Sequence, residues 1–119
     1  MPEDCLFCKI VAGEIPAQEM ASTETIYAFR DVDPQAPTHV LVIPRRHIPD
    51  FDSIEPGDGK LIADMAAIAQ EIARNEELSP TWGGGGYRVV FNVGDDAGNS
   101  VPHLHLHVIG GRQLAWPPG

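Results

Sequence analysis

Pro102-His103-Leu104-His105-Leu106-His107-Val108-Ile109 is the stretch on which the reading of this chain turns. An imidazole alternates strictly with an aliphatic side chain, and a period of two is the mark of a β-strand with two unlike faces. His103, His105 and His107 fall on one face, and Leu104, Leu106 and Val108 on the other. The strand is expected over His103 to Ile109, closed by Gly110-Gly111. Three of the chain's 5 histidines stand on that one face. Rings that are partly charged near neutral pH are costly to bury, so a strand serving only a core gains nothing from them. Two chemistries remain: holding a metal ion, or nucleophilic and acid–base catalysis. Alternate residues of a strand stand about 6.5–7 Å apart at Cα. That spacing is wide for three rings on one ion and suits a central nucleophile flanked by helpers.

Working outward, Tyr87 to Asn92 reads as a neighbouring strand, followed by a polar loop from Val93 to Ser100. Within the loop, Gly98, Asn99 and Ser100 offer backbone N–H groups, an amide and a hydroxyl. Such groups can hold phosphate oxygens, although short stretches of this composition also serve simply as turns. His39-Val40-Leu41-Val42-Ile43 is almost wholly apolar, as expected of a central strand covered on both faces, and Pro44 ends it. His39 is either a polar strand-end residue or a fourth catalytic imidazole. Gln18 to Ala21 and Thr25 to Asp31 are two further strands, the second followed by the turn-rich Asp31 to Pro37. From Gly59 to about Glu77, the apolar residues Leu61, Met65, Ile68 and Ile72 recur at helical spacing, widened by Ile62 and Ala69, with Asp58 placed to cap the start. Cys5 to Gly13 is a short N-terminal helix ended by Gly13 and Ile15-Pro16. Strands and helices do not alternate as βαβ units. The expectation is one α+β domain over residues 1–119: a five-stranded antiparallel sheet with one long helix and a short N-terminal helix.

Charge narrows the partners. Against 8 Lys and Arg stand 17 Asp and Glu, a formal net charge of −9. Such a field repels nucleic acid and anionic lipid at long range, so no nucleic-acid partner is expected, while a small anion in a local pocket stays open. No stretch approaches about 18 consecutive apolar residues, so no membrane span is expected. Met1-Pro2-Glu3-Asp4 lacks the basic and apolar regions of a signal peptide, and a cytoplasmic location is the expectation.

Cys5-Leu6-Phe7-Cys8 has the spacing of a metal knuckle but supplies only half a zinc site. The histidines would have to supply the rest, and His47 is free to do so. A zinc site, a redox dithiol and two unliganded cysteines all remain open. The redox reading is weakest, because the pair does not follow a strand at the head of a βαβ unit.

Together these residues resemble the histidine-triad (HIT) superfamily, and within it the nucleotide-binding phosphoramidase branch. The resemblance runs from Cys5 to Gly119 in four separated blocks. They are Phe7-Cys8-Lys9-Ile10 with Gly13 to Pro16; Asp31 to His39 with Val42 to Pro44 and His47-Ile48; the complete triad His103 to Ile109; and Gly110 to Gln113 with Trp116 to Gly119. Relatives that transfer nucleotidyl groups have glutamine at the last triad position, where this chain has His107. The resemblance implies a HIT-like fold and hydrolysis of nucleoside monophosphate amides. His105 would attack the α-phosphorus, with His107, His39 and His103 as the other catalytic histidines. Asn92, Gly98, Asn99 and Ser100 would hold the phosphate, Asp31 the ribose hydroxyls, and Phe7, Ile10, Phe29 and Val32 the purine. In metal-bearing relatives the corresponding set, Cys5, Cys8, His47 and His103, binds a structural zinc, with no catalytic metal required. The family is homodimeric with one continuous sheet, which would make Trp116 a cross-dimer contact near the partner's site. Other outcomes on the same scaffold are a dinucleoside polyphosphate hydrolase, a nucleotidyl transferase, or a non-catalytic nucleotide- or zinc-binding protein.

Overall fold

The computed structural model describes residues 4–119. The apolar run after the Asp31–Pro37 turn takes the middle of a five-stranded antiparallel sheet. The strands are β1 (Glu19–Ser22), β2 (Ile26–Arg30), β3 (Thr38–Pro44), β4 (Tyr87–Val90) and β5 (Leu106–Gly110). Their order is β1-β2-β3-β5-β4, and every residue of β3 is buried. Two helices flank the sheet: α1 (Leu6–Val11) and α2 (Gly59–Asn75). No helix among the described residues is long and apolar enough to cross a membrane.

The parity of the strands decides what each face does. Ile26 and Ala28 of β2, Val40 and Val42 of β3, and Leu106 and Val108 of β5 pack with Met65, Ala69 and Ile72 of α2 in the larger core. The alternate residues, Phe29, Leu41 and Ile43, face the other way and pack with Cys5, Phe7 and Cys8 around α1. Antiparallel register sets Leu41 opposite His107 and His39 opposite Ile109. The histidines therefore emerge on the α1 face.

Three local expectations are corrected. The histidine segment enters the ladder only at Leu106, not His103. Ahead of it the backbone is tied elsewhere: the His103 N–H donates to the Val101 carbonyl at 2.9 Å, and the Leu104 N–H to the Ile48 carbonyl at 2.6 Å. The alternation of faces survives, because Leu104 still enters the α2 core. Similarly, β4 stops at Val90, short of Asn92. Asp58 occupies the N-cap position of α2 without a side-chain capping bond. Its carboxylate instead accepts from the Glu55 N–H at 2.9 Å and from Arg46, closing the short 3-10 turn before the helix. Along α2 the fully buried positions are Met65, Ala69, Ile72 and Ala73, with Leu61 and Ile68 only half-buried at the sides. Two alanines at the centre let the helix lie close to the sheet.

Candidate active site and metal cluster

The three triad histidines alternate along one short segment but hold different partners. Each can be assigned a tautomer, because a backbone carbonyl only accepts and a backbone N–H only donates. His103, fully buried, donates its Nε2–H to the Pro44 carbonyl at 2.8 Å. Its Nδ1 lone pair faces Cys5 Sγ at 3.4 Å, Cys8 Sγ at 3.4 Å and His47 Nδ1 at 3.3 Å. Cys8 Sγ and His47 Nδ1 are 3.2 Å apart, and all four donor atoms lie within 4.8 Å of one another. Zinc bonds of about 2.0–2.1 Å to nitrogen and 2.3 Å to sulfur imply tetrahedral edges of about 3.3 Å between nitrogens and 3.6 Å between nitrogen and sulfur. The donor set fits a four-coordinate metal by both composition and spacing. Among protein atoms alone, burial and then the neighbouring Cys5 thiol push Cys8 up to about 11. A bound cation reverses that balance by stabilising thiolate. The N–H of Cys8 also donates to Cys5 Sγ at 3.3 Å, holding the first turn of α1 around the cluster.

His105 donates its Nδ1–H to the His103 carbonyl at 2.7 Å, which leaves the Nε2 lone pair free. Burial holds this imidazole below its ordinary value, so it stays neutral and nucleophilic near pH 7. Phe7, seated between the two cysteines, meets the His105 ring edge-on at 5.1 Å between centroids and Phe29 at 5.4 Å. The His105 and His107 rings are 5.0 Å apart.

His107 is supported from behind by His39. The Gln35 N–H donates to His39 Nδ1 at 3.0 Å, so the hydrogen of neutral His39 sits on Nε2. That hydrogen donates to His107 Nδ1 at 2.8 Å, which leaves the hydrogen of His107 on its Nε2; Asn92 Nδ2 lies 3.4 Å from that nitrogen, and the Asn92 amide accepts from it only when turned over to present its oxygen. Asp31 Oδ2 lies 3.4 Å from His39 Nε2. Burial, followed by the influence of His105 and His39, pushes His107 down to about 4, against a smaller opposing effect of Asp31. Asp31, His39 and His107 also form a ligand-sized cluster. The 2.8 Å between His39 Nε2 and His107 Nδ1 is a hydrogen-bond distance, shorter than the about 3.3 Å between two nitrogens on one zinc, and fits a hydrogen-bond relay.

His105 and His107 open onto a cavity of about 410 Å³. Phe7, Ile10, Phe29 and Val32 line it, Asp31 stands on it, and Asn92, Gly98 and Ser100 contribute polar groups. These are the sequence-derived candidates, brought together from α1, β2 and the loop before β5. His39 and His103 lie behind the wall, and Asn99 is outside the lining, with its Oδ1 buried and without a hydrogen-bond partner among the described residues. Trp116 is 83% exposed and away from the cavity. Leu6, Ile15, Pro16, Ala17, Leu41 and Val101 also line it and were not singled out in the sequence. Ile15-Pro16 carried a signal, but one that reads only as a helix end.

The family model of the HIT domain matches residues 12–114. An uncharacterized HIT-like protein of Synechococcus elongatus is 43% identical over 119 residues, the full length of both chains. The crystal structure of a HIT family hydrolase from Legionella pneumophila superposes with a TM-score of 0.92 at 48% identity, covering 98% of this chain and 100% of that one. A histidine triad nucleotide-binding protein from Candida albicans superposes with a TM-score of 0.80 at 30% identity, covering 96% of this chain and 83% of that one.

Proposed function

The chain belongs to the HIT-domain family and is a hydrolase of that family, and on this premise we propose that it cleaves the P–N bond of purine nucleoside phosphoramidates through a nucleotidyl-histidine on His105. The observation that carries this reading is the His105 ring. Its Nδ1–H is pinned to a backbone carbonyl at 2.7 Å, and its Nε2 lone pair is left for an apolar-walled cavity. A purine would lie among Phe7, Ile10, Phe29 and Val32, and Asp31 would accept from the ribose hydroxyls. Gly98, Ser100 and Asn92, with the Nε2–H of His107, would surround the phosphoryl oxygens and stabilise charge that grows there in the transition state.

His105 Nε2 attacks phosphorus and the P–N bond breaks. The bonding pair leaves with the amine, which takes a proton from solvent. The His105 ring, now bonded to phosphorus and still carrying Nδ1–H, is cationic beside the phosphoryl anion. Water then attacks phosphorus, the P–Nε2 bond breaks, a proton goes to solvent, and the nucleoside monophosphate is released. Among the described residues no Lys or Arg lines the cavity. A site that meets phosphate with N–H dipoles alone suits one phosphoryl charge better than a polyphosphate chain. That supports a monophosphate amide over a dinucleoside polyphosphate.

Cys5, Cys8, His47 and His103 would hold a zinc ion. With four protein ligands such a site is closed, the composition of a structural centre, and its chemistry is to cross-link α1 to the rest of the chain. The protein would act as a homodimer.

Two measurements test the reaction. His105→Asn should lower turnover of adenosine 5′-phosphoramidate by about three orders of magnitude or more, with AMP affinity changed only a few-fold. Turnover that persists in this variant rejects the nucleophile. A kcat/KM for diadenosine polyphosphate above that for the phosphoramidate rejects the substrate class.

A further inference from the structure

The turn after β5 is docked onto the Asp31–Pro37 loop by two adjacent contacts. Gly111, at φ 94°, lies so close that a Cβ on it would stand 2.9 Å from Cβ of Pro37. Arg112 then reaches the Gln35 carbonyl with Nε at 3.1 Å and Nη2 at 3.0 Å, while its Nη1 donates to the Gln113 carbonyl at 3.0 Å. Gln35 is also tied within its own loop: its Nε2 donates to the Asp33 carbonyl at 2.9 Å, and the Asp33 N–H donates to Asp31 Oδ1 at 2.9 Å. The residue so clamped is the one whose N–H points at His39 Nδ1.

That N–H decides more than the place of one ring. A neutral imidazole has one hydrogen for two nitrogens. With Nδ1 of His39 accepting, its hydrogen is on Nε2, His107 Nδ1 must accept, and His107 keeps a hydrogen on Nε2 for the cavity. In the opposite tautomer, His39 would present Nδ1–H to the Gln35 N–H and Nε2 as acceptor to His107. His107 would then turn a lone pair toward whatever anion enters. The other groups facing this pair are Asp31 on the loop after β2, His105 on the segment before β5, and the Asn92 amide after β4. Asp31 Oδ2, an acceptor 3.4 Å from His39 Nε2, favours a hydrogen there, whereas Asn92 Nδ2, a donor 3.4 Å from His107 Nε2, favours the opposite order; the Gln35 N–H, at 3.0 Å from His39 Nδ1, is the shorter contact and decides between them.

We propose that Arg112 is a positioning residue for the active site. By holding the Gln35 carbonyl it aims the Gln35 N–H at His39, fixes both His39 and His107 as Nε2–H tautomers, and so makes His107 a hydrogen-bond donor to the phosphoryl group. The last step rests on the reaction proposed above, while the tautomer order does not depend on it.

Long-range ¹H–¹⁵N correlation spectra of the histidine rings in the intact protein at pH 7.5, together with steady-state kinetics, test this. In the unmodified protein His39 and His107 should both be Nε2–H. Arg112→Ala should give averaged or reversed tautomers at both rings. It should also lower kcat about tenfold with KM little changed, a smaller loss than outright removal of a transition-state donor. Arg112→Lys, with one donor in place of two, should fall between. Gln35→Pro removes the N–H itself and leaves the carbonyl, so it should reproduce the tautomer loss, and it carries the test if Arg112→Ala does not fold. An Nδ1–H His39 in the unmodified protein, or tautomers unchanged in a folded variant, overturns the proposal. Shifted tautomers in a protein inactive on phosphoramidates would keep the positioning role and reject the reaction.

Discussion

His107 is the triad ring most displaced from ordinary behaviour, held down to about 4 by burial first and then by His105 and His39. An unfolded histidine titrates near 6.5. As pH falls from 6.5 toward 4 the unfolded chain takes up a proton that folded His107 refuses. The contribution of this ring to stability is therefore complete above 6.5 and is lost progressively as pH drops toward about 4. The urea midpoint should decline over that interval, and His107→Gln should show a shallower decline. Equal pH slopes in the two proteins would contradict the assignment. At this scale the strict alternation from His103 to Val108 was legible, because side-chain direction on extended backbone depends only on parity. Which nitrogen of each ring holds the hydrogen was not legible. The atoms that decide it are backbone groups of His103, Pro44 and Gln35.

At the scale of elements, α1 is six residues long, too short to be stable alone, and its N-cap Cys5 and its own Cys8 both belong to the four-donor Cys/His cluster. Phe7, in the same turn, forms a wall of the cavity. Metal content and nucleotide affinity should therefore be linked. Protein purified without chelator should contain about one zinc per chain, as a closed four-ligand site requires. Cys8→Ser should lose the metal, lower the melting temperature and weaken AMP binding. Metal content near zero in the unmodified protein, or AMP binding unaffected by Cys8→Ser, would separate the cluster from the site. The CxxC spacing announced two ligands, but their two partners lie 39 and 95 residues away from the nearest paired cysteine in sequence. A spacing rule does not reach that far. The early half of the histidine segment shows the same limit. Leu104 bonds to Ile48 instead of a strand neighbour, and no pattern within residues 102–109 encodes that partner.

Across the whole molecule, the sheet ends in two edges, β1 and β4, that no strand among the described residues pairs. A bulge between Glu19 and Ala21 disturbs β1, which discourages further pairing, whereas β4 is regular and carries the half-exposed Val89. A homodimer built through β4 would cover that edge. Sedimentation should give twice the mass of one chain at micromolar concentration, and Val89→Asp should shift the protein toward monomer. A monomeric unmodified protein would reject this assembly. The sequence by itself determined the five strands and two α-helices, the antiparallel α+β class and the face on which the histidines stand. Those features follow from local periodicity and turn chemistry, which act between near neighbours. The tertiary structure alone decided that His103 turns to the cysteines while His105 and His107 turn to the cavity, that Arg112 reaches Gln35, and that Ile15 to Ala17 complete the wall. Each of those depends on the packing of segments far apart in the chain, and distance in sequence carries no information about which of them will touch.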